Sequence, residues 1–148
     1  SRGEVLDSGW AALMRAVIDA SFLGSVILPD ELSAKSTGTL MRLIAEGLTA
    51  PALLQIEITN LLVMAERRKR ITQSECQRLS EAIDALPLTV QPPLTSRQRA
   101  EVLHLARTHK LTAYDATYLE LAARLGLELV THDDDLSSAA RACGVALC

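Results

Sequence analysis

The stretch Leu111–Leu136, LTAYDATYLELAARLGLELVTHDDDL, constrains the chain most, because it leaves one carboxylate and returns to the same place with another. Leu119, Leu121, Ala122 and Leu125 recur at helical spacing over Tyr114–Leu125, and Gly126 follows as a natural C-terminal stop. Leu127–Thr131 is short and apolar, which predicts a buried strand with Asp133 just past its end. Asp115 falls in the first turn of the helix. The helix carries the chain about 15 Å away at 1.5 Å per residue. The strand brings it back by roughly 15–20 Å at 3.3 Å per residue. Helix N-termini and strand C-termini share one edge of an α/β sheet, the edge where such sheets bind ligands. Asp115 and Asp133 are therefore expected to meet there.

The rest of the chain alternates in the same way. Ala16–Asp19 is an apolar run ending in a carboxylate and predicts a first buried strand, with Ser21 capping a helix over Phe22–Leu28. Pro29-Asp30-Glu31 punctuates the chain before a helix over Leu32–Glu46, closed by Gly47. Leu48–Pro51 is a short strand candidate, and Ala52–Arg68 a strongly apolar helix. Thr72 with Glu75 forms a capping box for a helix that runs to Ala85. Leu88–Val90 suits an edge strand ended by Pro92-Pro93, and Ser96–His109 another helix. A final helix over Leu136–Cys143 and a last strand over Val145–Leu147 complete the pattern. The expectation is one α/β domain, a central parallel sheet flanked by helices on both faces. A chain of 148 residues is long enough to bury about 70% of its unfolded surface in one such core. Residues 1–13, SRGEVLDSGWAAL, precede Met14 and show no pattern the later segments need, so they are read as tag or linker, Trp10 included.

Two further acids belong at the edge of Asp115 and Asp133. Asp19 ends the first strand. Glu57 lies about one and a half turns into the helix after the second strand, among Leu53, Leu54, Ile56, Ile58, Leu61 and Leu62. An ionised carboxylate in such a stripe is costly unless something compensates it. Crowded carboxylates raise one another's pKa values unless a cation neutralises them. An oxygen-rich, histidine-poor set suits Mg²⁺ or Mn²⁺.

With these residues in hand, the chain resembles a known family. Val17-Ile18-Asp19-Ala20-Ser21 is similar to the opening of PIN-domain nucleases of the VapC toxin type. Ala50-Pro51 with Glu57 and Asn60 resembles their second signature, LTAYDATYLELAARLG their third, and the T-x-D-x-x-L of Thr131–Leu136 their fourth. The resemblance runs from Met14 to the C-terminus, so residues 14–148 are expected to form a PIN domain. It implies a Mg²⁺-dependent endoribonuclease toxin, with Mn²⁺ as a possible substitute and Asp19, Glu57, Asp115 and Asp133 as the catalytic, metal-holding acids. It also implies Ser21, Asn60 and Thr131 as accessory polar residues, a VapB-type antitoxin partner, an RNA substrate and a homodimer. The choice of Asp133 over Asp134 or Asp135 rests on the T-x-D-x-x-L register.

Other features bound the possibilities. The formal charge of −3 gives no global attraction to nucleic acid, so an RNA substrate needs a metal or a local basic patch. Arg67, Arg68, Lys69 and Arg70 are the candidate patch, as phosphate contacts that do not read sequence. A mean hydropathy of +0.19 hints at apolar surface kept for a partner, while no run approaches the ~20 apolar residues of a membrane span. Cys76, Cys143 and Cys148 lack disulfide or zinc spacing and are read as reduced core or surface thiols of a cytoplasmic protein. His104 and His109 do not share a helix face, His132 alternates away from Thr131 and Asp133, and Tyr114 and Tyr118 are read as packing residues. Two other functions stand beside the toxin: a PIN nuclease of RNA processing or decay outside a toxin pair, and a receiver-type phosphoacceptor module. The receiver reading requires an acidic pair after the first strand and a lysine ending a later one. Asp19 stands alone, and Val130-Thr131-His132 has no lysine.

Overall fold

A computed structural model describes residues 14–148. The reading of residues 1–13 as tag or linker lies outside the described residues. Four three-residue strands form the sheet: β1 (Ala16–Ile18), β2 (Leu48–Ala50), β3 (Leu88–Val90) and β4 (Glu128–Val130). They are all parallel and lie in the order β3-β2-β1-β4. β1 and β2 are wholly buried, β1 as its continuous apolar run requires and β2 with the Thr49 hydroxyl donating to Thr89 O, and β3 is the half-exposed edge. Val17 pairs with Thr49 on one side and Leu129 on the other.

Among the described residues six helices connect the strands, α1 (Ala20–Ile27), α2 (Ala34–Glu46), α3 (Leu53–Arg67), α4 (Gln73–Asp84), α5 (Ser96–His109) and α6 (Ala113–Leu125), and α7 (Asp134–Ala142) follows β4. Right-handed crossovers put α1–α4 on one face, as the chain steps from β1 to β2 to β3. They put the α5–α6 hairpin on the other, as it returns across the sheet to β4. The helices on the first face pack closely. A Cβ on Gly24 would stand 2.6 Å from Leu61 Cδ1, so the missing side chain lets α1 sit against α3. Among the described residues no helix is long and apolar enough to cross a membrane.

Several boundaries differ from expectation for identifiable reasons. The N-cap of α1 is Asp19 rather than Ser21, because the carboxylate accepts the Phe22 N–H. α2 starts at Ala34 rather than Leu32, since Ser33 accepts the Ser36 N–H and caps it. α7 starts at Asp134 under an Asp133 cap. Val145–Leu147 is no full strand. It makes one bridge, Leu147 to Leu129, supported by hydrogen bonds from Leu129 N to Ala146 O and from Cys148 N to Leu129 O. The Thr72–Glu75 capping box forms as expected, and a second, Thr95 with Gln98, starts α5.

Candidate active site

β1 and β4 are neighbours, and the connections leave them in opposite directions along the sheet, which makes their C-terminal edge a topological switch point. Asp19 stands directly after β1, and its N–H donates to Val130 O of β4 at 3.2 Å. Its carboxylate is 4% exposed and is held by three donors. Oδ1 accepts from Ser21 Oγ at 2.7 Å and from Phe22 N at 2.9 Å, and Oδ2 accepts from Thr131 Oγ1. The same threonine oxygen accepts the Asp133 N–H at 3.0 Å, and Ser21 Oγ accepts the His132 N–H at 2.9 Å. Ser21 and Thr131 therefore tie the loop after β4 to the end of β1.

Asp133 caps α7 by accepting the Leu136 N–H at 2.8 Å, while Asp134 and Asp135 are exposed in the first turn. Of the three consecutive aspartates it is Asp133 whose charge acts on Asp19 and Asp115. Asp115 lies in the first turn of α6, where its N–H donates to the capping Thr112 Oγ1 at 3.1 Å. Glu57 reaches in from α3, and its Oε1 accepts from Tyr118 Oη at 2.6 Å.

Electrostatics show the crowding. Asp115 is pushed up to about 6, first by burial and then by the charges of Asp133, Glu57 and Asp19. Asp19 is raised mainly by burial, opposed by its hydrogen bonds from Thr131, Phe22 N–H and Ser21, with Asp133 adding repulsion. Burial and the adjoining Glu57 carboxylate raise the Tyr118 phenol, so at neutral pH it is a hydrogen-bond donor. Among the described residues no lysine or arginine is ion-paired to any of these four acids. An all-oxygen, uncompensated donor set is the chemistry of a hard divalent cation. Among the described residues no three such side chains already stand tightly enough to grip one ion, so the acids are coupled neighbours rather than a closed cage.

Other expected residues lie elsewhere. Asn60, one turn beyond Glu57, is exposed and hydrogen-bonds none of the acids. Ile56 is 64% exposed, so the apolar stripe of α3 is narrower than the sequence suggests. Arg67, Arg68, Lys69 and Arg70 sit at the far end of α3, about 15–20 Å of helix from Glu57 at 1.5 Å per residue. Arg70 is occupied there, donating to Asp30 through Nε and Nη2 at 2.8 Å and to Glu31 at 2.9 Å. The basic cluster is thus not part of the acidic edge. Tyr114, read from the sequence as packing, is 61% exposed.

Sequence reasoning left out two features. Tyr118 packs, but it also binds Glu57, a contact between helices on opposite faces that no local pattern announces. The His132 ring does point away from the acids, and it lands on α1. Nε2 lies 3.1 Å from Ser25 Oγ, and the ring centroid 5.8 Å from that of Phe22.

The PIN domain family model matches residues 16–142. The chain is 27% identical over 124 residues to Ribonuclease VapC3 of Pyrobaculum aerophilum, covering 84% of this chain and 93% of that relative. Among solved structures it resembles PAE2754 from Pyrobaculum aerophilum, with TM-score 0.66, 27% identity, and 86% and 80% of the two chains covered. FitAcB from Neisseria gonorrhoeae matches with TM-score 0.65 and 16% identity, over 89% of this chain and 95% of that one. VapC20 of Mycobacterium tuberculosis, titled a sarcin-ricin loop cleaving toxin, matches with TM-score 0.61 and 18% identity, over 84% and 94%. At those identities the last two show a shared fold.

Proposed function

Because the chain belongs to the PIN domain family, we propose that it is a Mg²⁺-dependent endoribonuclease, the toxin of a VapC-type toxin–antitoxin pair. The observation that carries this reading is the coupling of Asp19, Glu57, Asp115 and Asp133 at one sheet edge, with no lysine or arginine ion-paired to them among the described residues. The similarity to a relative named Ribonuclease VapC3 supports RNA as the substrate.

On this reading Asp19, Glu57, Asp115 and Asp133 would hold the ion, which when bound would supply a more acidic water and positive charge beside the phosphate. The chain's own contribution is placement. Thr131, Ser21 and the Phe22 N–H hold the buried Asp19 carboxylate in place, and their three hydrogen bonds oppose the upward push that burial gives its pKa. Thr131 also holds the Asp133 backbone in register with Asp19. No histidine is needed as a base. Cleavage leaves 5′-phosphate and 3′-hydroxyl ends and takes place in the cytoplasm, where a VapB-type antitoxin restrains it. A homodimer fits the exposed apolar surface beside the edge, where Tyr114 and Leu94 stand with Pro51, Pro92 and Pro93 around a 350 Å³ hollow.

The test is cleavage of structured RNA by purified protein. Activity is expected with Mg²⁺ or Mn²⁺, none in EDTA, and none in a folded Asp115→Asn variant. Full activity in EDTA would refute the metal-dependent reading. Mn²⁺ is also expected to raise the melting temperature of wild type and to do much less for Asp19→Asn, an equal shift in both counting against the site.

A further inference from the structure

We infer that Tyr118 is a positioning residue for the acidic edge, acting through the hydrogen bond from its phenol to Glu57. The inference rests on the metal-dependent reading above and adds to it a residue outside the donor set. Tyr118 lies three residues after Asp115 on α6, so the two share a helix face. Asp115 takes the exposed end of that face and Tyr118, 1% exposed, the buried end. The ring sits in the main hydrophobic core. A buried phenol requires an acceptor. Its acceptor is Glu57 Oε1 at 2.6 Å, on a helix from the opposite face of the sheet.

Glu57 needs this bond as much as Tyr118 does. Its neighbours on α3, Leu54 and Ile58, are buried, and among the described residues its carboxylate accepts no other side-chain hydrogen bond. A glutamate has several rotatable bonds, and ordering them for a ligand costs entropy that a preformed contact removes beforehand. The phenol holds Oε1 and leaves Oε2 as the oxygen free to face an incoming cation. Phenylalanine would fill the same volume in the core and supply no hydrogen bond. The hydroxyl is thus separable from the packing.

The experiment is a calorimetric Mn²⁺ titration of wild type, Tyr118→Phe, Glu57→Gln and the double variant, each with its melting temperature in EDTA. Residues that orient a metal ligand typically change affinity by about 10–100-fold when removed. Tyr118→Phe is expected to weaken Mn²⁺ binding about tenfold and to raise the half-saturating Mn²⁺ concentration for RNA cleavage equally, with kcat recovered at saturating metal. The double variant is expected to bind no more weakly than Glu57→Gln alone, because the phenol acts through that carboxylate. Unchanged Mn²⁺ affinity in Tyr118→Phe overturns the inference, as does a further tenfold loss on the Glu57→Gln background. A collapse of the Tyr118→Phe melting temperature in EDTA overturns it too, since the hydroxyl would then serve the fold. Absence of Mn²⁺ binding by wild type is a separate failure, of the metal-dependent reading itself, and removes the inference with it.

Discussion

Among the four acids, Asp115 is the one moved furthest from its ordinary pKa. Burial and three neighbouring carboxylates raise it from 3.8 to about 6. A carboxyl raised in the folded state adds stability below its unfolded pKa, and that stability is lost as pH rises through the folded value. The metal-free protein is therefore expected to melt higher near pH 4 than near pH 7 on account of this group. Asp115→Asn is expected to stabilise the metal-free protein at pH 7 by about 1 kcal/mol, after discounting for solvent screening at a partly exposed site. The gain should vanish near pH 4. Melting curves in EDTA at the two pH values check this, and a gain that is equal at both would show that repulsion is not its cause. Thr131 acts in the opposite direction. Thr131→Val removes a donor from the buried Asp19 and an acceptor from Asp133 N, and is expected to cost about 1–3 kcal/mol in denaturant unfolding. Both threonine and aspartate were legible in the T-x-D-x-x-L spacing. The role of Thr131 as the clasp between β1 and β4 was not, because its partner lies 112 residues away.

At the scale of elements, helix ends set the precision of the site. Asp19, Thr112 and Asp133 each cap a helix at the sheet's C-terminal edge, so capping chemistry and site chemistry use neighbouring or identical side chains. The C-terminal ends are less uniform. α6 ends on Gly126 at φ 65°, while α5 ends on Lys110 at φ 55°, a left-handed conformation that costs an L-residue roughly 1–2 kcal/mol. Lys110→Gly is expected to stabilise the protein by up to about 1 kcal/mol, or ~3 °C in melting temperature, with the fold unchanged. A fall in melting temperature would show that the lysine side chain outweighs its backbone strain. The helices were mostly readable from caps, stops and periodicity. Their ends slipped by a residue or two where two polar residues competed to cap, as Asp19 and Ser21 do at α1.

For the whole molecule, the acidic edge and the apolar hollow around Tyr114 lie close together, since α6 carries both Asp115 and Tyr114 and α3 begins at the hollow and carries Glu57. If that surface joins two copies, light scattering is expected to report about twice the 16.0 kDa monomer mass, and Tyr114→Glu the monomer with its melting temperature retained. A monomeric wild type would refute the dimer. The sequence alone determined the alternation of short apolar strands with capped helices, and so the parallel sheet. Those are properties of local periodicity, of residues three or four apart on a helix and of runs buried on both sides. The tertiary structure alone decided which distant groups touch. It spent Arg70 on Asp30 and Glu31 and joined Tyr118 to Glu57 across the sheet. It also turned Tyr114 outward and reduced the last strand to a single bridge. Such contacts follow from the packing of whole helices, and no window along the chain contains both partners.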